Sequence, residues 1–92
     1  MDKRRPAWMH RLDLDIQASE QVRAAWLSRL SEGERLAVAL KRMRPYERDA
    51  FHSLVAREER AQRRGDHARA ERLYRQARAM IATQMASAIP PG

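Results

Sequence analysis

The sequence predicts an all-α protein: a small bundle of three to four helices with an extended N-terminal arm and a helical hairpin around Gly65. Ala and Arg, both strong helix formers, contribute 16 and 17 of the 92 residues. Apolar residues recur at helical spacing in several stretches. Only 3 glycines and 4 prolines interrupt the chain. We expect an extended arm over residues 1–18, one helical domain over 19–86 and a flexible tail over 87–92.

The predicted arm contains a strand-like pattern. Residues 10–17 alternate between polar side chains and the apolar Leu12, Leu14 and Ile16, a period of two that is typical of a half-buried strand. The chain offers no second strand candidate. The segment could pair with a second copy of the chain, or it could be an extended lead-in whose leucines pack on the helices. We favour the lead-in.

The first predicted helix covers residues 19–30. Ser19 is a suitable N-cap, because its hydroxyl can accept a hydrogen bond from a backbone N–H in the first turn. Val22, Trp26 and Leu30 are spaced four residues apart and so lie on one face.

A capping box marks the start of the second helix. Ser31 is followed three residues later by Glu34, and the two side chains can satisfy each other's backbone N–H groups. The helix should end near Met43, because Pro45 disfavours the helical conformation in the residue before it. Its apolar face comprises Leu36, Ala37, Leu40 and Met43.

The third helix is predicted to begin at Pro45, which suits the first helical position. Beyond Val55 its apolar face is continued by Glu58 and Gln62. We therefore expect the outer half of this helix to leave the core. The apolar residues before that point are Tyr46, Phe51, Leu54 and Val55.

Gly65 and Asp66 predict the turn of a helical hairpin. Gly65 can end the third helix in the left-handed conformation, and Asp66 can cap the fourth. The fourth helix then carries an apolar stripe of Ala70, Leu73, Tyr74, Ala77, Ile81 and Met85.

The hairpin also resembles a known family. Gly65-Asp66 followed by Ala70, Tyr74 and Ala77 is similar to the second helix of a tetratricopeptide repeat. The resemblance covers about half of one repeat and implies a peptide- or protein-binding helical scaffold, with small residues where helices approach and an aromatic residue filling the groove. The preceding helix departs from the family pattern at the positions of its small residue and its aromatic residue, which are Glu58 and Ala61.

The composition argues against catalysis. The chain has no cysteine, so it has no thiol nucleophile and no cysteine-ligated zinc. His10, His52 and His67 lack metal-ligand spacing, and no glycine-rich phosphate loop is present. We expect a non-enzyme with no catalytic residue, cofactor, metal ion or small-molecule substrate. Neither a membrane span nor a secretory signal is recognisable, so we expect the cytoplasm.

The arginines are the most distinctive polar feature. The formal net charge is +7, and 17 of the 19 basic residues are Arg. One interpretation is a basic prong that binds phosphate or an acidic protein surface. The other is a solvated helix face, with the arginines reflecting a GC-rich genome. The eight arginines of the proposed prong are Arg57, Arg60, Arg63, Arg64, Arg69, Arg72, Arg75 and Arg78.

Two function classes remain. Leu, Ile, Val and Phe together number only 15, so the core is thin and association with itself or with a protein partner is expected. The first class is a protein interaction module that regulates, inhibits or bridges a larger partner, with Trp8 and Trp26 as apolar anchors. The second is a nucleic-acid-binding protein. It would contact the backbone, or resemble the ribbon-helix-helix dimers, although Asp13 and Asp15 would then face DNA phosphates.

Overall fold

The computed structural model describes residues 7–91, apart from the side chains of Ala7, Met9, His10, Leu12 and Asp13. Within that range the chain forms four helices and no strand: α1 (Ala7–Arg29), α2 (Glu32–Arg42), α3 (Pro45–Arg63) and α4 (His67–Ala86). This confirms the all-α prediction. Residues 1–6 of the predicted arm lie outside the described residues. The described chain divides into two compact units, one of residues 7–30 with 89–91 and one of Ser31–Ala88.

Helix α1 replaces most of the predicted arm. The prediction of an extended segment is wrong from Ala7 onward, and Ser19 lies inside the helix rather than capping it. An isolated strand leaves its backbone N–H and C=O groups without partners, whereas a helix satisfies them within the segment. On a helix, residues two apart are separated by roughly 200°. Leu14 and Ile16 therefore point to opposite sides of α1, and both are exposed.

Helix α2 begins with the predicted capping box. The Ser31 hydroxyl accepts a hydrogen bond from the Glu34 N–H at 3.1 Å, and the Glu34 carboxylate accepts one from the Ser31 N–H at 3.2 Å. The Ser31 N–H stabilises the charged carboxylate and so holds the pKa of Glu34 below its ordinary value. The helix ends at Arg42 with Met43 as its C-cap, and Pro45 opens α3. Both predicted boundaries are confirmed.

The main core of the Ser31–Ala88 unit lies where α4 packs against α2 and α3. Its buried residues belong to α2 and its C-cap, to α3 and to α4. The half-buried Leu54, Val55 and Ile81 pack against them. Tyr46 was predicted on the apolar face of α3, and this is wrong because its side chain is 66% exposed. It precedes Phe51 by five residues, roughly 140° around the helix. The buried residues of this core are Ala39, Met43, Phe51 and Ala77.

A second buried cluster lies near the hairpin turn. Ala61, Ala70 and Leu73 are buried there, with Leu54 packed against them. The prediction that the outer half of α3 leaves the core is therefore wrong. Ala61 follows Leu54 by seven residues, two helical turns, and so continues the same face. Its small side chain lets α3 and α4 remain in contact up to the turn.

The turn itself has the predicted chemistry. Gly65 adopts a left-handed backbone with φ of +76°, which residues with a Cβ avoid. The Asp66 N–H donates to the Ala61 carbonyl oxygen at 3.0 Å, which closes the end of α3. The Asp66 carboxylate accepts a hydrogen bond from the Arg69 N–H at 3.2 Å and caps α4.

The segment after α4 is packed at its start. The Arg42 guanidinium donates to the Ser87 carbonyl oxygen at 3.1 Å and to its hydroxyl at 2.9 Å, and Ala88 is completely buried. The predicted flexible tail is therefore wrong for these two residues. Both residues belong to the Ser31–Ala88 unit, and Arg42 provides hydrogen bonds at the C-terminal end of α4. No helix within residues 7–91 is long and apolar enough to cross a membrane.

Candidate partner-binding site

The structure brings together four of the eight predicted arginines. They line a recess of about 260 Å³ beside the hairpin turn, together with Ala61 and Asp66. We call this the basic recess. Its arginines are Arg57, Arg60, Arg64 and Arg69.

Helix geometry explains why these four arginines meet. Arg57, Arg60 and Arg64 are spaced three and four residues apart, so they follow one side of α3 and its C-cap. Arg69 lies in the first turn of α4, which the reversal at Gly65 returns alongside α3. The buried Ala61 contributes only a methyl group, which leaves space between the longer arginine side chains.

The charge of the basic recess is not neutralised within the described part of the chain. No ion pair or side-chain hydrogen bond joins any of its four guanidinium groups to a described residue. Among the described residues, Asp66 is the one carboxylate in its lining, and one of its oxygens accepts a hydrogen bond from the Arg69 backbone N–H. Arg is always protonated in proteins. The recess therefore presents excess positive charge to solvent.

The other predicted arginines have different surroundings. The Arg75 guanidinium pairs with Glu71 at 2.7 Å, as expected for residues four apart on a helix. The Arg78 guanidinium lies 3.4 Å from the Glu32 carboxylate of α2 and 5.7 Å from the centre of the Tyr74 ring. Arg63 and Arg72 are exposed and do not line the basic recess.

The hairpin carries a second recess of about 300 Å³ with a different character. It contains two glutamates and no arginine. Tyr74 borders it and is 51% exposed, so this aromatic ring is not buried in a groove between helices. The lining residues are Glu58, Gln62, His67, Ala70, Glu71 and Tyr74. The hairpin therefore has one recess lined by arginines and another lined by two glutamates and uncharged residues. This separation of charge was not predicted.

The two tryptophan anchors both belong to α1. Trp8 is 64% exposed, whereas Trp26 is half-buried. Neither lines the groove of about 640 Å³ that lies within the α1 unit. That groove is bordered by the apolar Ile16 and Val22 together with Ile89 and Pro90. The groove was not predicted, because the strand-like alternation placed Ile16 in an extended segment and the terminal residues 87–92 were expected to form a flexible tail.

Among the described side chains, no three His, Asp or Glu residues come close enough to share a metal ion. Comparison of the chain with models of protein families, with characterised proteins and with solved structures finds no significant similarity.

Proposed function

We propose that this protein is a small, non-enzymatic helical module that regulates, inhibits or bridges a larger protein, with the α3–α4 hairpin as its contact surface. The observation that carries the proposal is the basic recess, where four arginines lack a described partner. Arginine is enriched at protein interfaces, where its planar group binds carboxylates with paired hydrogen bonds. We expect the protein to act in the cytoplasm.

Helix α1 supports the same proposal from a separate region. Trp8, Leu14 and Val22 are all more than half exposed, and tryptophan is enriched among the residues that contribute most to protein interfaces. A partner or a second copy of the chain would remove them from water. The small residues Ala70 and Ala77, which carry the resemblance to a tetratricopeptide helix, are buried in the hairpin.

Nucleic-acid binding by backbone contact is the second candidate, and the same basic recess favours it. The ribbon-helix-helix form of that candidate is not proposed. It needs a strand at residues 11–17 to pair across a dimer, and helix α1 covers this segment.

A quantitative pull-down tests the proposal. The full chain serves as bait, with and without nuclease, beside two variants. In the first, Arg60→Gln and Arg64→Gln remove two positive charges from the basic recess. In the second, Arg63→Gln and Arg72→Gln remove the same charge outside it.

We expect one or more proteins to be retained by the wild type and the second variant, to be lost by the first, and to persist after nuclease treatment. Loss of the captured material on nuclease treatment would support the nucleic-acid candidate instead. Equal capture by all three baits would contradict a role for the basic recess.

A further inference from the structure

We propose that the basic recess is a binding site for one phosphate monoester, carried by a phosphorylated side chain of the protein partner. This inference rests on the proposed function, because it takes the hairpin as the contact surface, and it names the chemical group that the surface recognises.

The charge of the recess calls for a multivalent anion. Four guanidinium groups face a single carboxylate, and one oxygen of that carboxylate is already bonded to the Arg69 N–H. A carboxylate ligand brings one negative charge. A phosphate monoester brings about 1.5 to 2 charges at neutral pH, and therefore neutralises the mutual repulsion of the arginines more completely.

The donors and the space also suit a phosphate group. Each guanidinium presents its N–H groups as a planar fork, which matches the oxygens of phosphate with two parallel hydrogen bonds. The recess measures about 260 Å³, whereas a water molecule occupies about 30 Å³ in the liquid. The phosphate and the end of the side chain that carries it can both enter.

The surroundings favour a single compact anion over an extended nucleic-acid backbone. Duplex DNA carries one charge per roughly 1.7 Å of its axis and needs a continuous basic track. Farther along α4, Arg75 and Arg78 are each within ion-pair distance of a glutamate. Glu58 and Glu71 line the other recess of the hairpin. Four arginines without a described ion-pair partner are thus brought together in the basic recess. Arg63 and Arg72, which also have no ion pair to a described residue, do not line it.

The basic recess is also held in place by packed structure. Ala61 is buried in the cluster with Ala70 and Leu73, and the Asp66 cap fixes the first turn of α4. The arginines lie on two helices that pack against each other, so their backbone is already ordered before a ligand binds. This lowers the entropic cost of binding and favours specific recognition.

Fluorescence anisotropy with the purified full chain tests this inference. The probes are a labelled phosphoserine peptide of otherwise neutral sequence, the same peptide with serine, and the same peptide with glutamate. A labelled single-stranded oligonucleotide and competition by inorganic phosphate complete the set. The variants are the two arginine pairs used in the pull-down, together with Arg60→Lys and Arg64→Lys, which keep the charge but lose the fork.

We expect the phosphoserine peptide to bind at least about tenfold more tightly than the serine and glutamate peptides, since charged hydrogen bonds each contribute about a factor of ten or more. Arg60→Gln with Arg64→Gln should weaken this binding by roughly tenfold or more. Arg63→Gln with Arg72→Gln should change it by less than about threefold. The lysine pair should fall between them, and inorganic phosphate should compete.

Five results would overturn the inference. Equal weakening by the two glutamine pairs would show general charge attraction. Equal binding of the glutamate and phosphoserine peptides would show a carboxylate site. Tighter binding of the oligonucleotide than of the phosphoserine peptide would favour nucleic acid. Binding of inorganic phosphate without the phosphopeptide would show a site for the free ion. A protein that the pull-down recovers through the basic recess, and that phosphatase treatment does not release, would leave the proposed function intact and refute only this inference.

Discussion

Helices α1 and α4 are similar in length, with 23 and 20 residues, but they use their apolar residues in opposite ways. Helix α4 buries Ala70, Leu73 and Ala77. Helix α1 has no buried residue among its described side chains, although Leu14 and Ile16 are larger than alanine. Small residues of α4 that meet a neighbouring helix are buried, whereas Leu14 and Ile16, two residues apart, lie on opposite sides of α1 and are exposed.

The largest effect that tests this comparison is expected at Leu73. Leu73→Ala should lower the free energy of unfolding by about 2–3 kcal/mol, because the side chain is 4% exposed and its removal leaves a cavity. In a domain of this size each kcal/mol corresponds to a fall in Tm of roughly 4–8 °C. Urea and thermal unfolding followed by circular dichroism measure the change. Leu73→Met, which conserves volume, is the control and should cost less than about 1.5 kcal/mol.

The elements that sequence could predict are those with local chemical signals. The Ser31 capping box, Pro45, Gly65 and the Asp66 cap each act through neighbouring backbone groups, so their effects can be recognised from a few residues. The start of α1 could not be recognised in this way. Its alternating pattern is typical of a strand, and the outcome depends on whether another strand is available to pair with it.

The sequence shows that the hairpin is rich in arginine, but it does not show which arginines line the basic recess. The sequence identified all eight arginines between Arg57 and Arg78. Which four of them line the recess depends on the chain reversal at Gly65 and on the burial of Ala61 between α3 and α4. It also requires the contact of Arg78 with Glu32, 46 residues away. Ala61 was overlooked because the apolar face of α3 was followed through large side chains.

Substitutions at Gly65 and Gly33 are expected to have effects of intermediate size. Gly65→Ala should destabilise the protein by about 1–2 kcal/mol, since φ is +76° and an L residue is strained there. An added Cβ would meet no atom within 4 Å, so the whole cost is conformational. Gly33→Ala in α2 should instead stabilise by about 0.4–1 kcal/mol, because its nearest new neighbour is the Ser31 hydroxyl at 4.0 Å. Urea unfolding measures both changes in the free energy of unfolding. If both substitutions stabilise the protein, or both destabilise it, the Gly65 turn does not determine the hairpin.

The smallest effect on stability is expected in α1. Leu14→Ala should change the free energy of unfolding by no more than about 0.5 kcal/mol, because half of this side chain is already in contact with solvent. The comparison with Leu73→Ala holds the chemical change constant and varies only burial. We expect the substitution to act on association instead, since Leu14 is one of the exposed apolar side chains that would be removed from water by a partner or a second copy. Sedimentation velocity over a range of concentrations measures this, with Arg63→Gln as a surface control. A loss of more than about 1 kcal/mol at low concentration, where association is absent, would show that Leu14 supports the fold and would refute the contrast between Leu14 and Leu73.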